Sequence, residues 1–204
     1  MIRSSAAQRR IRKAALELFA EKGSAALTVS ELAAAAGVVR GTIYNSVASP
    51  ERLFETIALE LAEEMNEQIA ASFAAIEDPA ARLAIGIRLY VRRAHDEPAW
   101  GRFLAKFAMT DRSLRRLWTG APMDDLTHGV EIGRYDIAPE RITAALAIVA
   151  GSTLAAIVLV LDGLRTWRES GSEVAAMVLR SLGVSKDEAA ALAALPLPAL
   201  AEPP

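Results

Sequence analysis

Residues 28–47 read TVSELAAAAGVVRGTIYNSV, and the points at which this stretch lets a helix start, stop and start again decide the fold. Thr28 is a good N-cap, and Glu31 three residues on completes a Thr-x-x-Glu capping box. In such a box each side chain satisfies a backbone N–H that the helix end leaves free. The helix over 29–36 buries Leu32, Ala33 and Ala36 and stops at Gly37, whose tolerance of positive φ permits a sharp turn. A new helix begins within three residues, over 40–47, with Ile43 and Val47 inward and Arg40, Thr42, Tyr44 and Asn45 pointing elsewhere. Two short helices joined so tightly can place the second in the major groove of DNA, about 12 Å wide against a helix about 10–12 Å across, with the first then crossing the backbone.

Working outward, residues 5–22 form a first helix with Ile11, Ala15, Leu18 and Phe19 on one face and Gly23 as its C-cap. Downstream, Ser49-Pro50-Glu51 supplies an N-cap, a proline at the first helical position and a carboxylate in the first turn. The helix it opens runs over 50–75, with Phe54, Ile57, Leu61 and Met65 along a face. Further helices are expected at 80–95, 98–109, 111–119, 122–133, 139–163, 171–182 and 185–195. The prolines after Leu195 predict a loose tail. The organisation is therefore a three-helix helix-turn-helix domain over 1–49, a helical domain over 50–195 and a Pro-rich tail over 196–204.

Composition agrees. In 204 residues, 52% are hydrophobic and only 5% aromatic, with alanine throughout, which suits packed helices rather than strands rich in aromatic and β-branched residues. The expected class is all-α. The absence of cysteine excludes a disulfide framework, a thiolate metal site and a cysteine nucleophile, and fits a reducing cytoplasm. Basic residues from Arg9 onward interrupt any apolar run of the length a secretory signal needs, so a cytoplasmic location is expected.

Charge is unevenly placed. Residues 1–50 hold seven basic groups (Arg3, Arg9, Arg10, Arg12, Lys13, Lys22, Arg40) against three acidic ones (Glu17, Glu21, Glu31), a net +4 in a chain whose total is −2. A positive head on an acidic body suits a head that meets a polyanion. Ile142–Leu161 is the opposite extreme: twenty residues without a charge, long enough to span a membrane at about 1.5 Å per residue. Its small polar residues, and flanks without an aromatic belt or basic cluster, favour a buried interface helix and no membrane partner.

With these features in hand, the sequence resembles the TetR family of bacterial regulators. Thr28, Leu32, Ala33, Ala36, Gly37, Val38, Gly41, Thr42, Ile43, Tyr44 and Ser49 to Leu53 fall in register with its pattern. Three positions depart from it. Val39 stands where the family usually has Ser or Thr, Val47 where it has Phe, and Pro50 where it often has Lys. The first and third remove backbone contacts, and the second thins the small core.

The resemblance implies a repressor that binds palindromic double-stranded operator DNA as a homodimer and is released by a small apolar ligand. Its DNA contacts fall to Thr28, Val39, Arg40, Thr42, Tyr44 and Asn45. It also implies a four-helix dimer bundle from the last two long helices, here with Leu146, Val149, Ser152, Thr153, Ile157, Val174, Met177 and Val178 at the interface. The middle aromatics, Tyr90, Trp100, Phe103, Phe107 and Trp118, recur at helical spacing with His128 nearby, and are the expected ligand site. A regulator that needs no ligand is the alternative. An enzyme is not expected, because the chain has no Gly-rich phosphate loop, no Gly-x-Ser-x-Gly and no His-Glu-x-x-His, and His95-Asp96-Glu97 sits at a helix junction where polar residues belong anyway. No cofactor and no metal are expected.

Overall fold

The structure, a computed structural model, describes residues 6–22, 27–46, 52–72 and 76–199. Every regular element among them is helical: α1 (Ala6–Lys22), α2 (Val29–Ala36), α3 (Arg40–Ser46), α4 (Leu53–Ser72), α5 (Pro79–Asp96), α6 (Pro98–Phe107), α7 (Arg116–Thr119), α8 (Ala121–Glu131), α9 (Ile142–Leu161), α10 (Trp167–Ser181) and α11 (Lys186–Ala193). The C-cap expected at Gly23, the inward Val47 and the helix start at Ser49-Pro50-Glu51 lie outside the described residues.

Helices α1 to α3 close on a small core of Ile11, Ala15, Phe19, Leu32, Ala36 and Ile43, all buried. That core is continuous with the buried face of α4, which carries Leu53, Phe54, Ile57, Leu61 and Met65. The head therefore rests directly on the body. Phe19 meets Phe54 edge-on at 5.1 Å between centroids, and Phe54 meets Phe103 and Phe107 of α6 at 5.5 and 4.9 Å. Lys106 of α6 donates to the Ala20 carbonyl of α1 at 2.7 Å.

Helix α5 is the axis of the body, packed by α10, α9, α6 and α8. A second core of Leu83, Ile87, Leu126, Tyr135, Ala145, Val149, Val178 and Leu182 fills the end away from the head. Arg93 of α5 is the buried charge at the other end. Its guanidinium donates to Glu64 of α4 at 2.5 Å and to Gln68 Oε1 at 3.0 Å, and lies over the Trp100 ring at 4.8 Å. A charge so buried is tolerable only because it is paired and hydrogen-bonded.

Three expectations change. The helix over 111–119 is broken: Asp111 Oδ1 accepts from the Ser113 N–H at 2.8 Å and starts a 3₁₀ turn over Arg112–Leu114, before α7 begins separately. α10 starts at Trp167 rather than 171, because Thr166 and Glu169 form a second capping box. The tail is not loose as far as residue 199. Leu195 and Leu197 pack on the core beside α5, and Arg88 donates to the Leu195 carbonyl at 2.6 Å. In an extended Leu-Pro-Leu-Pro segment alternate residues share a face, so the two leucines point the same way.

Candidate functional site

The turn between α2 and α3 is built locally. Thr28 Oγ1 accepts from the Glu31 N–H at 3.2 Å, and the Glu31 carboxylate accepts from the Thr28 N–H at 3.0 Å. Lys22 and the two Thr28 donors draw the Glu31 carboxyl down to about 2. At the other end of α2, Gly37 takes φ 63° and ψ 41°, its N–H donating to the Ala34 carbonyl while the Val38 N–H donates to Ala33. This is the Schellman pairing, and it sends the chain directly into α3.

Ile43 anchors α3 with no exposure, so the opposite face is turned outward: Val39 is 74% and Tyr44 61% exposed, Arg40 and Asn45 are exposed and Thr42 is half-buried. Ser30 Oγ accepts from the Arg40 guanidinium, tying that side chain across the two helices. Of the six residues expected to meet DNA, Arg40, Thr42, Tyr44 and Asn45 lie on α3, Val39 immediately precedes it and Thr28 caps the start of α2. A Cβ at Gly41 would meet nothing within 4 Å, so this face is flat enough for close approach.

A second feature lies inside the body. Helices α4, α5, α7, α8 and α9 enclose a cleft of about 450 Å³, open solvent at its mouth included, of which about 30 Å³ is wide enough for the centre of a water molecule. Its apolar wall includes Ile69, Leu83, Ile87, Leu117, Trp118 and Val149, and its polar groups come from Asn66, Arg82, Tyr90, Asp125 and Thr153. Trp118 is held in place by its indole N–H, which donates to the Ala108 carbonyl at 3.0 Å. The Thr153 hydroxyl is taken up by the Val149 carbonyl of its own helix at 2.7 Å.

Two groups in the cleft stand out. Tyr90 Oη is buried and has no hydrogen-bond partner among the described residues, a state that costs about 1–3 kcal/mol when nothing fills it. Burial pushes its phenol above the ordinary range. Asp125 is buried too, 2.7 Å from Arg82 Nε. Burial raises its carboxyl to about 6, against the pull of Arg82.

The expected ligand residues divide. Tyr90 and Trp118 line the cleft, whereas Trp100, Phe103 and Phe107 do not. These three form the buried face of α6, and Phe103 and Phe107 lie in the aromatic layer shared with Phe19 and Phe54. Their spacing marked a buried face without revealing that the head lies on the other side of it. His128 is exposed, because α8 turns Ala121, Pro122 and Asp125 to the cleft and His128 lies about 60° round the helix from Asp125. Of the cleft's polar residues, Asn66, Arg82 and Asp125 had escaped the sequence reading and Thr153 had been expected at the dimer interface, since a buried aspartate and a surface one look alike in a sequence.

The expected dimer residues divide as well. Val149, Thr153, Ile157 and Val178 are buried inside the protomer, with Val149 and Thr153 on the cleft wall, so they offer a partner no surface. Leu146, Ser152 and Val174 are half-buried and Met177 is 70% exposed. The outward face of α9 instead carries Ile148, Gly151, Ala155, Val158 and Leu159. α9 is apolar all round, so its pattern alone could not say which stripe faces inward.

Comparison with known proteins follows this geometry. Residues 78–194 match the family described as "Tetracyclin repressor-like, C-terminal domain", and residues 11–57 match "Bacterial regulatory proteins, tetR family". The uncharacterized HTH-type transcriptional regulator Rv1255c of Mycobacterium tuberculosis is 32% identical over 97 residues, 48% of this chain and 48% of that protein. The chain thus spans about half the length of the curated relatives it matches. Among solved structures, RolR in complex with resorcinol is 28% identical, with a TM-score of 0.70 over 96% of each chain. FadR from Bacillus subtilis in complex with stearoyl-CoA shares the fold at 17% identity, with a TM-score of 0.69 over 87% of this chain and 99% of that one. The chain belongs to the TetR family of bacterial regulatory proteins.

Proposed function

We propose that the chain is a transcriptional repressor that works as a homodimer, holds an inverted-repeat operator through α3 and releases it when a small molecule fills the cleft. The observation that carries this reading is the position of α4. One end presents Phe54 to Phe19 of the head, and the other presents Asn66 and Ile69 to the cleft. One rigid element thus touches both places, so a ligand that favours one tilt of α4 changes the separation of two recognition helices in a dimer. That separation must match one turn of duplex, about 34–36 Å.

Residues 1–49 form the DNA-binding unit and 50–195 the sensing and dimerising unit. Within the first, Thr28, Val39, Arg40, Thr42, Tyr44 and Asn45 face DNA. A dimer covers the uncharged outward stripe of α9 together with Met177 of α10, which a protomer alone leaves in water. Basic residues at the head favour a polyanion, and a protein with this task resides with the DNA in the cytoplasm. The liganded neighbours, one with resorcinol and one with stearoyl-CoA, support a small-molecule sensor over a regulator that needs no ligand.

The test is a gel shift of the whole protein on DNA flanking its own gene, followed by footprinting. Two protected half-sites about one helical turn apart are expected. A footprint without two-fold character, or no retention of any flanking fragment, contradicts the reading.

A further inference from the structure

Helix α1 meets α4 through an apolar pair and a charged pair that lie well apart along both helices. Near the C-terminal end of α1, Phe19 packs on Phe54, and Lys106 of α6 donates to the neighbouring Ala20 carbonyl. Arg12 stands seven residues before Phe19, about 10 Å back along α1, and it pairs with Glu64. Glu64 in turn stands ten residues after Phe54, about 15 Å on along α4. The two helices therefore run antiparallel and are pinned at two points. Apolar contact is non-directional, so the phenylalanine pair alone would be a pivot about which the head rocks. A guanidinium on a carboxylate is directional, and a second pin removes that freedom.

The second pin is anchored from the body. Arg93 of α5, only 4% exposed, holds the Glu64 carboxylate from the other side at 2.5 Å. Glu60, one turn before Glu64, adds a second negative charge within electrostatic reach of Arg12. Arg9, Arg10 and Lys13 on the same helix are exposed, whereas Arg12 Nη2 is buried without a hydrogen-bond partner among the described residues. Arg12 is thus the basic residue of α1 that is turned into the seam with α4.

The angle of the head on α4 decides where α3 lies in each protomer. One base pair added between two half-sites shifts one of them by about 3.4 Å and turns it by about 34°, so a rigidly held head tolerates no such change. We infer, on the footing of the proposed inverted-repeat operator, that Arg12 is a positioning residue: through Glu64 it fixes the angle of the head and with it the half-site spacing that the dimer accepts.

The experiment has two arms, each on the whole protein as wild type, Arg12→Met and Arg12→Lys, with circular dichroism establishing that each is folded. In the first, the retained DNA fragment is compared with versions carrying one base pair more or one fewer between the half-sites. The wild type is expected to prefer the natural spacing, and in Arg12→Met that preference should shrink by at least about fivefold, the lower end of coupling between distant sites. Arg12→Lys, which keeps the charge, should recover it. The second arm uses no DNA. The chain has no cysteine, so Asn45→Cys in the head and Lys186→Cys in the body, both exposed positions, each take a spin label. The labelled protein is diluted into unlabelled protein, so that the distance within one protomer is read. Arg12→Met should broaden the distribution of that distance and Arg12→Lys should restore it. If Arg12→Met does not fold, Arg12→Gln takes its place in both arms with the same expectations.

A distance distribution unchanged in the folded variant overturns the inference, whether or not DNA is retained. Affinity lost equally at every spacing, with a shallower salt dependence, makes Arg12 a phosphate contact and overturns it as well. A wild type that retains no fragment contradicts the operator reading instead, and the spin-label arm then decides whether Arg12 fixes the head.

Discussion

Arg12 of α1 and Arg93 of α5 share one carboxylate, that of Glu64 on α4. The head, the linking helix and the body axis are thereby joined at one ion cluster. Arg93 is only 4% exposed there, and Glu97 and Gln68 provide its other acceptors.

Glu64→Gln should therefore do more harm than an exposed pair predicts. Removing the charge leaves Arg93 buried and partly unpaired, at a cost of about 3 kcal/mol. Urea unfolding measures it. A loss within the range of surface pairs, under about 1 kcal/mol, contradicts the buried-cluster account.

Arg40→Ala tests the DNA face. Arg40 is exposed and its visible tie is to Ser30, so the fold should not change. If Arg40 reads a base, operator affinity should fall by about 1–3 kcal/mol, with relaxed preference at one position per half-site. A uniform loss over all sequences with a shallower salt dependence makes it a phosphate contact instead. No loss at all removes Arg40 from the interface.

The helix-turn-helix was legible in the sequence because its determinants are local. Thr28 and Glu31 are three residues apart, and Gly37 supplies the one backbone conformation the turn requires. The same logic held an unread signal at Thr166 and Glu169, which start α10 four residues earlier than its hydrophobic pattern suggests. The cleft was not legible, because it is a void left among five helices and no single segment encodes it. Tyr90 and Trp118 were reachable as aromatics, while Asp125 and Arg82 looked like ordinary surface charges. On α9 the difficulty was composition: a helix without a polar side has no readable inside.

The dimer proposal has a clean variant in Gly151→Arg. A Cβ there meets nothing within 4 Å, so the protomer should fold unchanged while the outward face of α9 gains a charge. The wild type should sediment at about twice the 21.8 kDa protomer mass and the variant at that mass. Leu159→Asp should do the same, whereas Ile157→Asp strikes the protomer core and should unfold it. Equal sedimentation of wild type, Gly151→Arg and Leu159→Asp contradicts this interface.

Asp125 gives the stability an unusual pH dependence. Its folded value of about 6 lies above the ordinary 3.8, burial being the main cause, with Asp124 adding to the rise and Arg82 and His128 opposing it. Such a group contributes stability that is fully present below its unfolded value and is lost as pH rises through about 6. Glu31 runs the other way: its contribution is present above the ordinary 4.5 and is lost as pH falls through about 2. Asp125→Asn should flatten the urea midpoint between about pH 4 and 6 and leave the acid limb. An unchanged slope in that window contradicts the buried-carboxylate account.

The central claim is that cleft and DNA face are coupled through α4, and thermodynamic linkage tests it directly. The measurement is a pair of titrations with resorcinol, the ligand of RolR, as the probe: affinity for the retained DNA fragment with and without saturating resorcinol, and affinity for resorcinol with and without saturating DNA. The account predicts that each ligand weakens the other by the same factor, between about 5-fold and 150-fold. DNA affinity that stays the same when the cleft is occupied would contradict it.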